Sequence, residues 1–316
     1  MVIGAGVAGL SAAVRATELG LRVAVVEKSR GVGGRAATRR ISGFPVDHGA
    51  QFFTAREPLF QTKVQGWVER GLCRVWSHGI PTWENGGITE PQEGHPRFAC
   101  PEGMTALAKH ESQGLTVFRE SAISECRKED GLWILQTKEG QMWSAKEILS
   151  TAPAPQTIAL FDQWVRDDDP IRALSYAPCV CGIFEVAGFF PAWKGLATHH
   201  RDVSWMAWDA TRRQTQDSPF FVVHGSPEFS RSHLENDPAA SAQILQAAAT
   251  EIAGEAFASA TLVHAQRWRY ARVENPLPQT HRTLAENLRF AGDAFLHANL
   301  ESAWLSGRAA AEDLAI

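Results

Sequence analysis

The chain begins with a stub of apolar strand, Met1-Val2-Ile3, and its pattern then changes at once. Gly4-Ala5-Gly6-Val7-Ala8-Gly9 leads into an alanine- and leucine-rich stretch, Leu10 to Leu19, that predicts a helix, and Leu21 to Val26 predicts a second strand. Between residues 59 and 73, Leu59, Val64, Trp67, Val68 and Leu72 fall mostly on one side of a helix. Residues 75 to 97 are rich in loops and strands, punctuated by Pro81, Gly86-Gly87 and Pro91, and Gly103-Met104-Thr105 leads into a short helix. Strand patterns follow at Leu115–Phe118, Ala122–Arg127, Leu132–Thr137 and Ile148–Thr151, and Ala152-Pro153-Ala154-Pro155 predicts a hinge. Beyond it lie strands at Val180–Val186 and Phe220–His224, a helix at Ala239–Ala253 and a last helix from about Ser302 to Leu314.

The opening strand, glycines, helix and strand form a nucleotide-binding unit in which each glycine has a mechanical task. Gly4 permits the tight turn, Gly6 lets backbone approach a pyrophosphate, and Gly9 lets helix and strand pack closely. The pyrophosphate would sit at the helix N-terminus, with Val7 and Ala8 in its first turn, where free N–H groups and the helix dipole favour negative charge. Glu27 closes the second strand and is placed to accept the adenosine ribose hydroxyls, with Lys28 beside it. Such first strands usually carry more apolar residues before the first glycine. Either the given start lies downstream of the true one, or the strand is stunted.

Three further segments converge on the same cofactor. In Ser29-Arg30-Gly31-Val32-Gly33-Gly34-Arg35, Gly33 and Gly34 allow close backbone approach and Arg35 can pair with a phosphate. In Asp47-His48-Gly49-Ala50-Gln51-Phe52-Phe53, small Gly49 and Ala50 leave room for a flat ring beside Phe52, and Gln51 offers an amide to it or to a substrate. Last come Gly292-Asp293, where Asp293 suits a ribityl hydroxyl, and Ser302-Ala303-Trp304, which open the final helix and present N–H donors to a pyrimidine carbonyl. Ile123 completes the candidate cofactor contacts. A nicotinamide enzyme needs only the first segment; all four together predict FAD.

The resulting fold class is α/β: a Rossmann-type FAD-binding domain built from residues 1–58, 98–155 and 265–316, with an inserted α+β substrate domain at 59–97 and 156–264. At 316 residues, with 44% hydrophobic and 21% charged positions, the composition is that of an ordinary soluble protein. A net charge of −4 points away from nucleic acid, and no apolar run approaches a membrane span. No signal peptide is expected ahead of the first strand, and cytoplasmic localisation follows. Cys73, Cys100, Cys126, Cys179 and Cys181 are scattered and read as reduced and mostly buried, and no metal is expected. His199-His200 face opposite sides of a strand, and Arg166-Asp167-Asp168-Asp169 reads as a solvated loop. The expected partners are a small-molecule substrate and O2, with oligomeric state left open.

The set Gly4–Gly9, Ser29–Arg35, Gly49-Ala50-Gln51-Phe52-Phe53-Thr54-Ala55-Arg56, residues 151–156, Arg267-Trp268-Arg269-Tyr270-Ala271-Arg272 and Ala303-Trp304-Leu305-Ser306-Gly307 resembles the bacterial renalase-like flavoproteins, a branch of the flavin amine oxidase superfamily. The resemblance spans nearly the whole chain. It implies non-covalent FAD and a two-domain fold like that of p-hydroxybenzoate hydroxylase and monoamine oxidase. It also implies oxidation of isomeric dihydronicotinamide dinucleotides to NAD(P)+, with oxygen reduced to hydrogen peroxide. Two departures stand out. After Trp205-Met206-Ala207 the chain has Trp208-Asp209-Ala210-Thr211-Arg212-Arg213 where relatives often carry an Asn-x-Ser-Lys-Pro-Gly-Arg-like run, and Ser302 stands where they often have glycine.

Candidate catalytic residues are Trp268, His224, Gln51 and Tyr270. Trp268 and Tyr270 alternate along one strand and share a face, so they form an aromatic wall beside the flavin or pack a domain junction; Arg269 and Arg272 point elsewhere. His224, in a segment matching a histidine-bearing strand of the family, is a substrate contact or a core histidine, and His48 adjoins Gly49. A dihydropyridine gives up hydride without a protein base, so the protein supplies position and a dry aromatic slot. No lysine falls in the matched substrate-region motifs, as a flavin-bridging lysine of the amine oxidases would. The rivals are an amine oxidase or desaturase on the same fold, and a flavin-holding protein without turnover.

Overall fold

The computed structural model describes residues 1–213 and 217–314, and the chain divides into two compact units. The first combines Met1–Ala36, Thr105–Ser175 and Val273–Ile316; the second combines Ala37–Met104 and Tyr176–Arg272.

In the first unit, a six-stranded sheet runs in the order 282–285, 288–290, 148–150, 2–3, 24–26, 116–118. All neighbours are parallel except the outermost pair, 282–285 with 288–290. The opening strand is only Val2–Ile3, yet it lies centrally, with Val2 opposite both Leu149 and Val25. Buried parallel strands read as continuous apolar runs, as Ile148-Leu149 and Val25-Val26 do. The Val7–Glu18 helix packs on this sheet through Leu10, Ala12, Ala13 and Ala16, in a core that also takes Ala310 and Ala311 of the closing helix, Leu300–Asp313. Gly307 makes that approach possible, since a Cβ there would lie 2.0 Å from the Ala8 carbonyl oxygen. A three-stranded antiparallel sheet, 123–129, 132–137 and 142–145, buries Trp133 and Leu135.

The Ala152–Pro155 segment is no hinge. Residues Ala154–Phe161 form a helix, and Pro155 occupies its first turn, where a missing N–H costs nothing. The chain stays in the first unit until Ser175. Asp169 also departs from the solvated loop expected of it: it is buried, accepts from the Ile171 amide at 3.1 Å and pairs with Arg282 at 2.7 Å. Only Arg166 and Asp168 form an exposed surface pair.

The second unit is built on a seven-stranded sheet in the order 261–273, 176–185, 220–225, 203–208, 195–198, 82–84, 87–89. One face (Val180, Phe184, Phe221, Val223, Met206, Leu196) packs against the Pro238–Ala253 helix through Ala242, Leu245 and Ala249. Asp237 caps that helix, accepting from the Ala239 and Ala240 amides at 3.0 Å. The opposite face (Cys181, Ile183, Phe220, Val222) packs against Phe44 and Val46 of the hairpin 38–41/44–47 and against Trp268. Residues 37–58, 98–104 and 265–272, read from sequence with the nucleotide-binding domain, lie in this unit.

All five cysteines are free. Among the described residues no group of histidines, cysteines or carboxylates could hold a metal ion, and no helix is long and apolar enough to cross a membrane.

Candidate functional site

The first unit places Gly4, Gly6, Gly9, Gly33 and Gly34 around one turn. Gly4 has φ +102°, which glycine adopts without strain, and its N–H donates to the Val26 carbonyl at 2.8 Å. A Cβ on Gly9 would lie 1.9 Å from the Gly4 carbonyl oxygen, so close packing forces glycine there. Gly33 donates to the Ala5 carbonyl at 2.8 Å, and a Cβ on Gly34 would meet the Gly6 Cα at 3.3 Å, so both segments line one spot. Gly6 itself faces open space, with nothing within 4 Å of its Cβ position. No side chain caps the Val7–Glu18 helix and no acid stands in its first turn, so the positive end is uncompensated by the protein.

Glu27 is buried, but its carboxylate is already engaged: Oε2 accepts from the Ala5 amide and Oε1 from the Ser29 amide, each at 2.8 Å. It ties the turn together, and its remaining lone pairs are what a ribose could use. Lys28 is exposed and reaches Gln156 at 3.4 Å. Arg35 and Asp293, assigned from sequence to a phosphate and a ribityl hydroxyl, pair with each other in a two-pronged bridge of 2.7 and 2.5 Å. Gly292 has φ +148° and donates to the Ser306 hydroxyl at 2.8 Å. The Ser302 and Ala303 amides do not stand free as expected. Asn299 caps the helix, taking Ser302 N–H on its side chain at 2.8 Å and Ala303 N–H on its carbonyl at 3.1 Å. The Trp304 carbonyl accepts from Ser11, and Arg308 lies over the Trp304 ring. Ile123, half-buried, starts the three-stranded sheet opposite Thr137.

In the second unit Gly49 and Ala50 are half-buried, and Phe52 tilts against Trp76 and Trp205 at 6.0 and 5.6 Å. Gln51 is spent internally. Its Nε2 donates to the carbonyls of Asp47 (2.6 Å) and Gly49 (3.0 Å), while its Oε1 accepts from Arg212 at 2.5 Å. That leaves no amide hydrogen for a ring or substrate, which corrects its catalytic and cofactor assignment to a structural one. Trp268 stacks on His48 (5.3 Å, 19°) and donates from Nε1 to the His48 carbonyl at 3.0 Å. Tyr270 instead meets Tyr176 edge-on at 5.5 Å. Arg269 is exposed and pairs with Glu235.

His224 pairs in register with Trp205 on one side and Cys181 on the other, so the three share a sheet face. Burial, helped by the nearby Arg212 charge, lowers its pKa to about 4; burial with His264 and Arg39 nearby does the same for His48. His264 is shifted down too, by burial and Arg39. His199 and His200 bond separately to Glu84 and Glu251.

Sequence reasoning missed a four-charge cluster. Asp47, Asp209 and Arg212 have no exposed side-chain surface, and Arg213 almost none. Arg213 donates to Asp209 (2.8 Å from Nε), Asp47 (2.9 Å) and the Cys100 carbonyl (2.9 Å), and Arg212 donates to Asp209 at 2.7 Å. Asp47 also accepts from Thr38 and the Met104 amide. The charges sum to zero, as burial requires. The segment that departs from the renalase-like pattern is thus an internal tie. The spacing of Asp209 to Arg212 and Arg213 was its one local signal.

Residues 2–65 match an NAD(P)-binding Rossmann-like domain, and residues 68–315 match the flavin-containing amine oxidoreductases. The chain belongs to the flavin-containing amine oxidoreductase family. It is an oxidoreductase of the amine oxidase type with a flavin cofactor, on a Rossmann-type α/β fold. Solved structures repeat that fold at low identity. A protein described as a protoporphyrinogen oxidase from Exiguobacterium sp. 255-15 is similar at TM-score 0.75 and 14% identity, over 99% of this chain and 98% of that one. Putrescine oxidase bound to putrescine gives 0.72 and 14% over 99% and 98%, and cyclohexylamine oxidase from Brevibacterium oxydans IH-35A gives 0.72 and 12% over 99% and 98%. For a flavin dinucleotide of this family, the open space at Gly6 and the uncapped helix end have the shape and charge a pyrophosphate needs.

Proposed function

We propose that this chain binds FAD non-covalently and oxidises isomeric dihydronicotinamide dinucleotides, as the renalase-like resemblance implies. Bound FAD would supply the chemistry, accepting hydride at flavin N5 and passing the electrons to O2 to give hydrogen peroxide. Gly6, Gly33 and Gly34 would hold the pyrophosphate, Glu27 the adenosine ribose, and Asp293, steadied by Arg35, the ribityl chain. The stretch from Gly292 to Trp304 contains no cysteine, in keeping with a cofactor held without a thioether.

The observation that carries the substrate reading is the electrostatic character of the Trp268, His48, His224 and His264 group. Burial lowers the pKa of its imidazoles, with Arg39 and the Asp209-paired Arg212 adding to the shift, and no carboxylate is left unpaired in the adjoining charge cluster. A protonated amine is disfavoured there, whereas a dihydropyridine ring is neutral. The lysines of this unit are also occupied: Lys194 donates to the Trp76 carbonyl at 3.0 Å, and Lys63 lies over the Trp67 ring. Neither is held as an amine oxidase's flavin-bridging lysine would be. Trp268 supplies a flat surface, and its hydrogen bond to His48 fixes that surface's angle. The setting proposed is cytoplasmic, with a small-molecule substrate and O2 as partners.

Anaerobic mixing monitored by flavin absorbance tests this. Rapid bleaching by isomeric dihydronicotinamides and none by amines is expected. The reverse result makes the chain an amine oxidase, and no bleaching by any donor makes it a flavin-holding protein without turnover.

A further inference from the structure

Arg97, in the second unit, is a half-buried cation without a counter-charge. It begins the strand 97–99, opposite Ser77 on one side. On the other side its neighbour Phe98 exchanges amide bonds with Phe53 at 3.0 and 2.7 Å. Phe53 and Phe98 stack at 5.5 Å and 23°, so by alternation Phe52 and Arg97 face the opposite way. There the Arg97 guanidinium lies over the Phe52 ring, 5.7 Å from its centroid. Its Nη1 donates to the His78 carbonyl at 2.9 Å, and that carbonyl also takes the Gly94 amide at 2.8 Å. Its other N–H groups have no partner among the described residues, and no carboxylate there pairs with it. Burial and the positive charge of Arg56 both push its pKa down, and a bound anion relieves both pressures.

What lies beside this cation selects the ligand. Trp205 packs on Phe52 at 5.6 Å and stands in register beside His224, which stands beside Cys181. Trp268, on the neighbouring strand 261–273, packs against the same cluster as Cys181. Trp268, Cys181, His224 and Trp205 thus cross one sheet face in a row, with Phe52 and Arg97 at its end. All of these but Cys181 are half-buried rather than enclosed. A molecule that presents a flat ring to this row and an oxyanion to its end would satisfy both. A nicotinamide nucleotide has that form, and a planar guanidinium fork matches the oxygens of its phosphates. A simple amine brings no anion for Arg97.

We propose that Arg97, laid over the Phe52 ring, is the subsite that takes a phosphate of the nicotinamide nucleotide substrate. This rests on the dihydronicotinamide reading above and adds the group by which the nucleotide is told from its riboside. Arg97 is a specificity-determining residue in this scheme and takes no part in hydride transfer.

The test is equilibrium binding of NAD+ and of nicotinamide riboside to the flavin-loaded protein, followed by tryptophan fluorescence, with flavin absorbance showing that the cofactor stays in place. Arg97→Gln should weaken NAD+ roughly tenfold or more and leave the riboside unmoved. Arg97→Lys, which keeps the charge but not the fork, should recover part of that loss. Inorganic pyrophosphate should displace NAD+ from wild type, and acetate at the same ionic strength should not. Should Arg97→Gln fold poorly, Arg97→Lys and the wild-type competition serve in its place. An Arg97→Gln protein that binds NAD+ as wild type does, no binding of NAD+ at all, or displacement by acetate as readily as by pyrophosphate overturns the subsite. If wild-type flavin is bleached by dihydronicotinamides but Arg97→Gln leaves NAD+ affinity unchanged, the subsite alone fails. If Arg97→Gln weakens NAD+ as expected but no bleaching occurs, the oxidase reading alone fails.

Discussion

The two units solve their packing with different side chains. In the first, eight of the twelve buried residues of the helix-and-sheet core are alanine. The second holds seven of the eleven tryptophans and twelve of the sixteen phenylalanines. Small side chains let backbones approach, and approaching backbone is what presents N–H groups and a helix end to a phosphate. Rings instead build walls with a set tilt, suited to recognising a flat molecule and keeping water away from it. In the proposed function the first unit holds and the second selects.

The largest expected effect falls on the second unit. Asp209→Ala leaves two buried guanidinium groups facing Asp47 alone and should cost about 3–5 kcal/mol of stability. Urea unfolding followed by tryptophan fluorescence, which reports chiefly on this unit, checks it; a loss under about 1 kcal/mol would show the cluster to be wet rather than dry.

Acid should come next. With His48 and His224 brought from the ordinary 6.5 to about 4, the unfolded chain binds their protons first as pH falls. Stability is therefore complete above pH about 6.5 and declines towards pH about 4, by on the order of 2–3 kcal/mol per imidazole at most. His48→Phe should flatten that part of the stability–pH curve, and an unchanged curve would remove His48 from the account.

The smallest effect separates holding from folding in the first unit. Glu27→Ala is a poor probe, because it also releases the Ala5 and Ser29 amides. Gly6→Asp is cleaner: φ is −77° and the Cβ position is open, so the new carboxylate can cap the helix while repelling a pyrophosphate. FAD should bind roughly tenfold or more weakly, with the cofactor-free protein unchanged or up to about 1 kcal/mol more stable. Undiminished flavin retention would place the pyrophosphate elsewhere.

What sequence conveyed well was local. The turn at Gly4 to Gly9, the short first strand and the helix after it depend on backbone constraints within a few residues, and the glycines state them directly. The Trp268 and Arg269 alternation was equally readable, because strand geometry decides it. What escaped was partnership across the chain. Arg35 meets Asp293 over 258 positions, and Gln51 meets Arg212 over 161, so each looked available for a ligand when read alone. The Asn299 cap was close at hand but hidden by attention to Ser302. The Asp47 tie to Arg213 had no signal beyond a spacing that many exposed helices share.

The order in which the polypeptide is made has a consequence for how the glycine turn is completed. Val2–Ile3 takes its sheet neighbour from 148–150, and the alanine helix takes its cover from Leu300–Asp313. During translation the turn therefore emerges long before either support exists, and such long-range closure is slow. Flavin capture belongs to the final moments of synthesis, which makes the waiting, half-built sheet the stage most exposed to chaperones and proteases.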